Sequence, residues 1–169
     1  MQDTKSRFTI RQATEADVPL ILSLIKALAE YEKLGHEVVA DEAILRDSLF
    51  NKRQAEVIIG EEDGAAVGFA LYFHNFSTFI GKAGLYLEDL YVKERYRGKG
   101  YGKALFCKLA EIAVERGCKR LDWWCLDWNA KSIAFYKSMG AAAMDEWTVY
   151  RLTGGALEAL AAEARSETH

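Results

Sequence analysis

Apolar residues change their spacing several times along the chain, and each change marks an element. Residues 7–12 (Arg-Phe-Thr-Ile-Arg-Gln) alternate apolar and polar, the period of a half-buried strand. Leu20, Ile21, Leu24, Ile25, Leu28 and Tyr31 then recur at helical spacing, which predicts a helix running to about Lys33. Its start lies in Thr14-Glu15-Ala16-Asp17, with Thr14 or Asp17 as cap, and Pro19, suited to a first turn, favours Asp17. Gly35 closes it. A shorter helix follows Asp41, with Ile44, Leu45, Ser48 and Leu49 on one side.

The middle of the chain switches to strands. Ala55–Glu61 and Ala65–Asn75 are expected to pair through Glu62-Asp63-Gly64, since Asp-Gly is the strongest short hairpin signal. Phe76–Gly81 is a loop, and Lys82–Val92 is the central strand. The helix after Gly102 turns Leu105, Leu109, Ile112 and Ala113 inward and ends at Gly117. Arg120–Trp128 is apolar on both faces, as a strand covered on both sides would be. Asn129 caps a helix over Ala130–Met139 that stops at Gly140. Ala142–Leu152 reads as a last strand and Ala156–Ala164 as a short helix. The order β-α-α-β-β-β-α-β-α-β, plus that helix, predicts an α/β fold with one mixed sheet and helices on both faces. It has no internal repeat or linker and is expected to be a single domain, residues 1–169.

Composition narrows the function classes. The 169 residues carry a net charge of −3, which gives no global field toward nucleic acid. No apolar run reaches the ~20 residues that span a membrane, and residues 1–7 lack the apolar core of a signal peptide. Cys107, Cys118 and Cys125 have no metal-ligand spacing and are odd in number, so they are expected to be reduced thiols of a cytoplasmic protein. No metal cofactor, nucleic acid or membrane is expected. A covalent cysteine route is not expected.

Positive charge gathers at one corner. The central strand leads through Arg97 into Gly98-Lys99-Gly100-Tyr101-Gly102-Lys103 and on into a helix. Glycines let the backbone turn sharply and approach a ligand closely. The N–H groups of a helix's first turn then face the ligand, and the helix dipole favours an anion there. The spacing fits neither a nucleotide P-loop nor a dinucleotide fingerprint. Ten residues before Gly98 stands Glu88. Strand alternation puts it on one face with Tyr86, Leu90 and Val92, where aromatic and aliphatic neighbours would raise its pKa toward that of a useful base. Backbone N–H groups of Leu90, Tyr91 and Val92 would stabilise an oxyanion if the strand splays or bulges there. Asn129, Ser132 and Tyr136 fall on one helix face, and a phenol there can donate a proton.

These stretches together resemble a known family. Leu-Tyr-Leu-Glu-Asp-Leu-Tyr-Val at 85–92, Arg-Gly-Lys-Gly-Tyr-Gly-Lys at 97–103, Trp-Asn-Ala-Lys-Ser-Ile-Ala-Phe-Tyr-Lys-Ser-Met-Gly-Ala at 128–141 and Asp-Glu-Trp at 145–147 resemble the diamine N-acetyltransferases. These form the spermidine/spermine group of the GNAT N-acetyltransferase superfamily. The resemblance covers about nine-tenths of the chain, including Ile-Arg-Gln-Ala-Thr-Glu-Ala-Asp at 10–17 and Leu-Ile-Lys-Ala-Leu-Ala-Glu-Tyr-Glu at 24–32. It implies the GNAT fold and acetyl-CoA as co-substrate. Leu90, Tyr91 and Val92 would lie along the pantetheine; Arg97, Gly98, Lys99, Gly100, Tyr101, Gly102 and Lys103 would hold the pyrophosphate. Asn129, Ala130, Lys131 and Ser132 would form a second acetyl-CoA segment, with Tyr136 the catalytic acid and Glu88 the base, acting through a water. Tyr31, Glu32, Glu88, Asp122, Trp123 and Trp124 would contact the amine, together with Asp145 or Glu146. The implied reaction is direct acetyl transfer to a small basic amine, a polyamine, diamine or thialysine, by a homodimer. The acids, Asp89 among them, suit ammonium groups, and Trp123 or Trp124 would add a cation–π contact. Rival readings are acetylation of a protein N-terminus or lysine, and a non-catalytic acyl-CoA-binding module.

Overall fold

Five strands lie in one sheet in their chain order. In the computed structural model, which describes residues 5–166, β1 (Phe8–Gln12), β2 (Glu56–Glu62), β3 (Ala65–Ser77) and β4 (Lys82–Val92) run antiparallel to one another. β5 (Leu121–Trp123) pairs with β4 in parallel, after the crossover helix α3 (Tyr101–Glu115). The β2–β3 turn takes φ 50° at Asp63 and 84° at Gly64, the double left-handed pair of a type I′ hairpin, so the Asp-Gly signal holds.

The sheet is covered on both faces, as alternation within β2 and β3 requires. Val57, Ile59, Phe69 and Leu71 point to one side. There they pack with Val18, Ile21 and Leu24 of α1 (Val18–Tyr31), and with Leu45 of α2 (Glu42–Arg46) and Leu49 in the π-turn after it. Burying each such side chain is worth about 1.5–3 kcal/mol. The alternate residues Ile58, Ala70 and Tyr72, also buried, belong to the opposite face, which α3 covers through Leu105, Leu109 and Ile112. α2 does follow Asp41, which caps it: Ile44 N–H donates to Asp41 Oδ1 at 2.8 Å. α1 ends before Gly35, because Lys33 itself takes the left-handed conformation (φ 62°) and Leu34 N–H closes back onto Ala29 C=O at 2.8 Å.

β4 is irregular at one place. Leu71 lies opposite Asp89 while Tyr72 lies opposite Leu87, so Glu88 is an extra residue in the ladder, a β-bulge. The parallel ladder to β5 also stops there, at Leu87 and Trp123, which makes β5 much shorter than the expected 120–128. From Glu88 to Val92 the edge of β4 away from β3 carries no ladder among the described residues.

The described residues divide into two compact units, one ending at Trp124 and the other starting at Cys125. The second holds α4 (Ala130–Ser138), capped by Asn129 Oδ1 accepting from Ser132 N–H at 3.2 Å, and α5 (Gly154–Ser166), longer than expected. The expected last strand over 142–152 is not formed. A strand needs a ladder partner, none of the described residues supplies one, and Trp147 and Tyr150 stay exposed.

At the other end of the sheet one guanidinium joins three elements. Arg11 on β1 donates through both Nη atoms to Asp17 at 2.8 Å, and through Nε to Glu61 of β2 at 2.5 Å. Asp17 also accepts from Thr14 N–H at 2.7 Å, fixing the entry to α1. The Arg11 bonds, followed by that from Thr14, hold the Asp17 carboxyl down at about 2. A depressed carboxyl stabilises the fold fully above its unfolded pKa and loses that contribution as pH falls through its folded one. Asp17→Asn is expected to lower unfolding free energy by about 1–3 kcal/mol at pH 7. Urea unfolding should show that deficit shrink between pH 4 and pH 2.

Candidate active site

The glycine corner follows directly from β4. Gly98 (φ 79°) and Gly100 (φ 84°) both occupy the left-handed region, with open space where a Cβ would stand. Here the residue type is required by the backbone, not by crowding. α3 begins at Tyr101, so the N–H groups of Tyr101, Gly102 and Lys103 lack intrahelical acceptors and form the anion-favouring end of the helix. Gly102 lies over β4; a Cβ there would meet Leu90 and Val92 at ordinary contact distances of 3.9 and 4.0 Å.

The corner is held from below. Lys99 Nζ and the Tyr101 hydroxyl both donate to Glu62 Oε1, at 2.9 and 2.6 Å, and the Tyr101 ring stacks on Phe8 at 4.1 Å. Arg97 is engaged too: its Nε donates to Val92 C=O at 2.8 Å, and its guanidinium covers the rings of Tyr31 and Tyr91 at 4.8 and 5.3 Å. Arg97 thus joins the end of α1 to the end of β4 rather than projecting as a free cation, as the sequence suggested. Among the described residues, Lys103 has no ion pair.

Beside this corner, against α1, lies a cavity of about 380 Å³. Its acidic members are Glu32, Glu37, Glu88 and Asp89; Ile25, Leu28 and Val38 are among the aliphatic ones, and none of its lining residues is basic. The bulge explains how two consecutive strand residues share one wall. Before it, Tyr86 and Glu88 face α1; after it Asp89 and Tyr91 do, opposite Leu71 and Phe69 of the α1-side core. The expected grouping of Glu88 with Leu90 and Val92 is therefore corrected: those two face α3, because the extra residue reverses the alternation.

The carboxyls differ. Glu88 is exposed, whereas Asp89 is partly buried and has no hydrogen bond or ion pair among the described residues. Burial first, then repulsion from Glu88 and Glu32, pushes the Asp89 carboxyl up to about 7. Glu32 is raised as well, by burial and then by Glu88. The Tyr86 phenol is raised chiefly by burial.

The other sequence candidates are distributed unevenly. Tyr31 is beside the cavity's Glu32, under Arg97. Asp122 accepts from Arg120 Nε at 3.0 Å and from Asn75 Nδ2 at 3.3 Å, so its charge already has an internal cation. Trp123 packs edge-on against Phe106 of α3 at 5.0 Å, which makes it a packing residue on the opposite face. Trp124, exposed, meets the Tyr86 ring at 6.1 Å. Asn129, Ala130, Lys131, Ser132 and Tyr136 belong to α4 and its cap, and Asp145 lines a small recess with Glu146 and Trp147, all in the second unit. Glu37 and Glu62 were not singled out from sequence. Glu37 lies in an irregular segment with no periodicity, and Glu62 reads as part of a hairpin turn; only the fold brings it under Lys99.

Residues 22–141 match the Acetyltransferase (GNAT) family. The chain is 41% identical over 164 residues to a thialysine N-epsilon-acetyltransferase of Bos taurus, covering 90% of this chain and 96% of the relative. It is 35% identical over 197 residues to the L-ornithine N5-acetyltransferase NATA1 of Arabidopsis thaliana, covering 89% and 86%. An integron cassette protein from the mobile metagenome of V. cholerae superposes with a TM-score of 0.76 at 31% identity, over 91% of this chain and 97% of that one. An open strand edge leading into a glycine corner, in a sheet of this order and with these relatives, has one reading: the chain belongs to the Acetyltransferase (GNAT) family.

Proposed function

We propose that this chain, with its two units acting as one domain, transfers the acetyl group of acetyl-CoA directly to the primary amine of a small basic amine. The observation that carries the reading is the bulge at Glu88. It opens the edge of β4 toward a ligand and turns two carboxyls into the neighbouring cavity. The residues fit the co-substrate. The open edge of Leu90-Tyr91-Val92 suits the amides of a pantetheine arm, and the corner from Gly98 to Lys103 suits a pyrophosphate. The cavity, acidic with aliphatic walls and no lining cation, suits an ammonium on a short alkyl stem.

In this reading the ammonium loses a proton to the acidic wall, and the amine attacks the thioester carbonyl. Backbone N–H groups past the bulge stabilise the developing oxyanion. The C–S bond breaks, and Tyr136 gives a proton to the leaving thiolate. None of the cavity's lining residues is a cation that could receive a substrate carboxylate, a feature that favours diamines and polyamines over thialysine-like amines. We further propose a cytoplasmic protein, consistent with the odd number and the spacing of its three cysteines. We also propose a homodimer, in which a second copy would supply a ladder for residues 142–152.

CoA release measured with spermidine, a short diamine, thialysine, ornithine and a lysine-containing peptide should be fastest with one of the small amines. Peptide-only turnover would favour a protein acetyltransferase, and acetyl-CoA binding without turnover would favour a binding module. Gly100→Val is expected to weaken CoA binding at least tenfold by calorimetry, since a β-branched residue cannot hold φ 84° without strain. Tyr136→Phe should retain CoA affinity and lose about 10²-fold or more in kcat; unchanged turnover would remove Tyr136 from its role.

A further inference from the structure

Resting on the amine-acetyltransferase reading, the geometry points to Asp89, rather than the more exposed Glu88, as the group that takes the proton from the substrate ammonium. The bulge gives both residues access to one cavity wall but not to one environment. Glu88 is the unpaired residue of the ladder and stands in solvent. Asp89 is back in register, opposite buried Leu71, and partly enclosed. A solvated carboxylate holds a cation well but is a weak proton acceptor; an enclosed one without a cation partner is a stronger base.

Every element around Asp89 contributes in the same direction. Its own strand supplies the Glu88 carboxylate, and α1 supplies Glu32 with apolar Ile25 and Leu28. The turn after α1 supplies Glu37, which lies 3.4 Å from the Nε2 atom of His36. β3 supplies Leu71. The guanidinium of Arg97 is committed to Val92 C=O and two aromatic rings. Burial and the two neighbouring acids raise Asp89 to about 7, so near neutrality it is partly ionised and returns its proton readily.

The step balances without a further reagent. One N–H bond of the ammonium breaks and the Asp89 O–H bond forms, leaving a lone pair on nitrogen. That pair forms the new C–N bond as the C–S bond breaks. The thiolate takes the Tyr136 proton, the second nitrogen proton restores that phenol, and Asp89 releases the first to water. Glu88 and Glu32 hold the cation and keep Asp89 basic.

The assignment is tested by kcat/KM against pH, using whichever small amine of the panel is turned over. Wild type should gain activity as pH rises through about 7. Asp89→Asn should lose about 10²–10⁴-fold and with it that acidic limb. Glu88→Gln should keep the limb but move it to lower pH, since it removes a like charge from beside Asp89. If Glu88 were the acceptor the pattern would invert: Glu88→Gln would abolish the limb and Asp89→Asn would only shift it, and that result overturns the proposal. A readout independent of turnover separates this from failure of the proposed reaction. Carboxyl-¹³C NMR of the wild type should show Asp89 titrating near neutrality; a midpoint near that of an ordinary aspartate would overturn the assignment even if no amine were acetylated.

Discussion

The site depends on one residue too many in β4. A central strand would ordinarily be paired on both edges and would send successive side chains to opposite faces. Here Glu88 is inserted against a continuous β3, and both rules change at that point. The parallel ladder to β5 ends one residue earlier, at Leu87, so from Glu88 to Val92 this edge of the strand carries no ladder among the described residues. The alternation resets, so Asp89 follows Glu88 to the α1 face instead of going under α3, where Leu105 and Leu109 are fully buried. A carboxylate sent there would have been left uncompensated in an apolar core, at a cost of several kcal/mol.

Charge is sorted by the same geometry. The chain's net charge of −3 conceals two neighbouring fields of opposite sign. On the α1 side the carboxyls of Glu32, Glu88 and Asp89 have no cation among the described residues. At the corner, two of the cations are restrained. Lys99 is drawn to Glu62, with side-chain exposures of 46% and 11%, and Arg97 is fixed on a carbonyl. A pair whose lysine remains half-exposed contributes little to stability, but it sets where the lysine waits. The Tyr101 hydroxyl on the same Glu62 oxygen fixes the first residue of α3 against β2. The helix end whose dipole favours an anion is therefore built on the sheet rather than on the loop.

Local chemistry was legible in the sequence and long-range register was not. The Asp63-Gly64 turn, the Asp41 and Asn129 caps, and the left-handed Gly98 and Gly100 follow from what those residues do within a few positions of themselves. The helical spacing in α1 and α3 gave the buried stripes. The bulge is a relation between β4 and β3, residues far apart in the chain, and neither strand's pattern reveals it. The engagement of Asp122 with Arg120 and Asn75, of Trp123 with Phe106, and of Glu62 with Lys99 is likewise set by the fold. Residues 142–152 show the converse: their composition favours a strand, yet composition supplies no partner.

A carboxyl kept as a base must be paid for in stability. With a folded value near 7 against 3.8 for the free side chain, Asp89 binds its proton more tightly folded than unfolded. Its effect on stability is therefore absent below pH 4 and becomes unfavourable as pH rises toward 7 and beyond. The limit set by that difference is roughly 4 kcal/mol, and water at the cavity mouth reduces it. A bound ammonium reverses the balance, because opposite charge favours the ionised form that burial and Glu88 oppose. The clustered carboxyls of the cavity thus favour a cation.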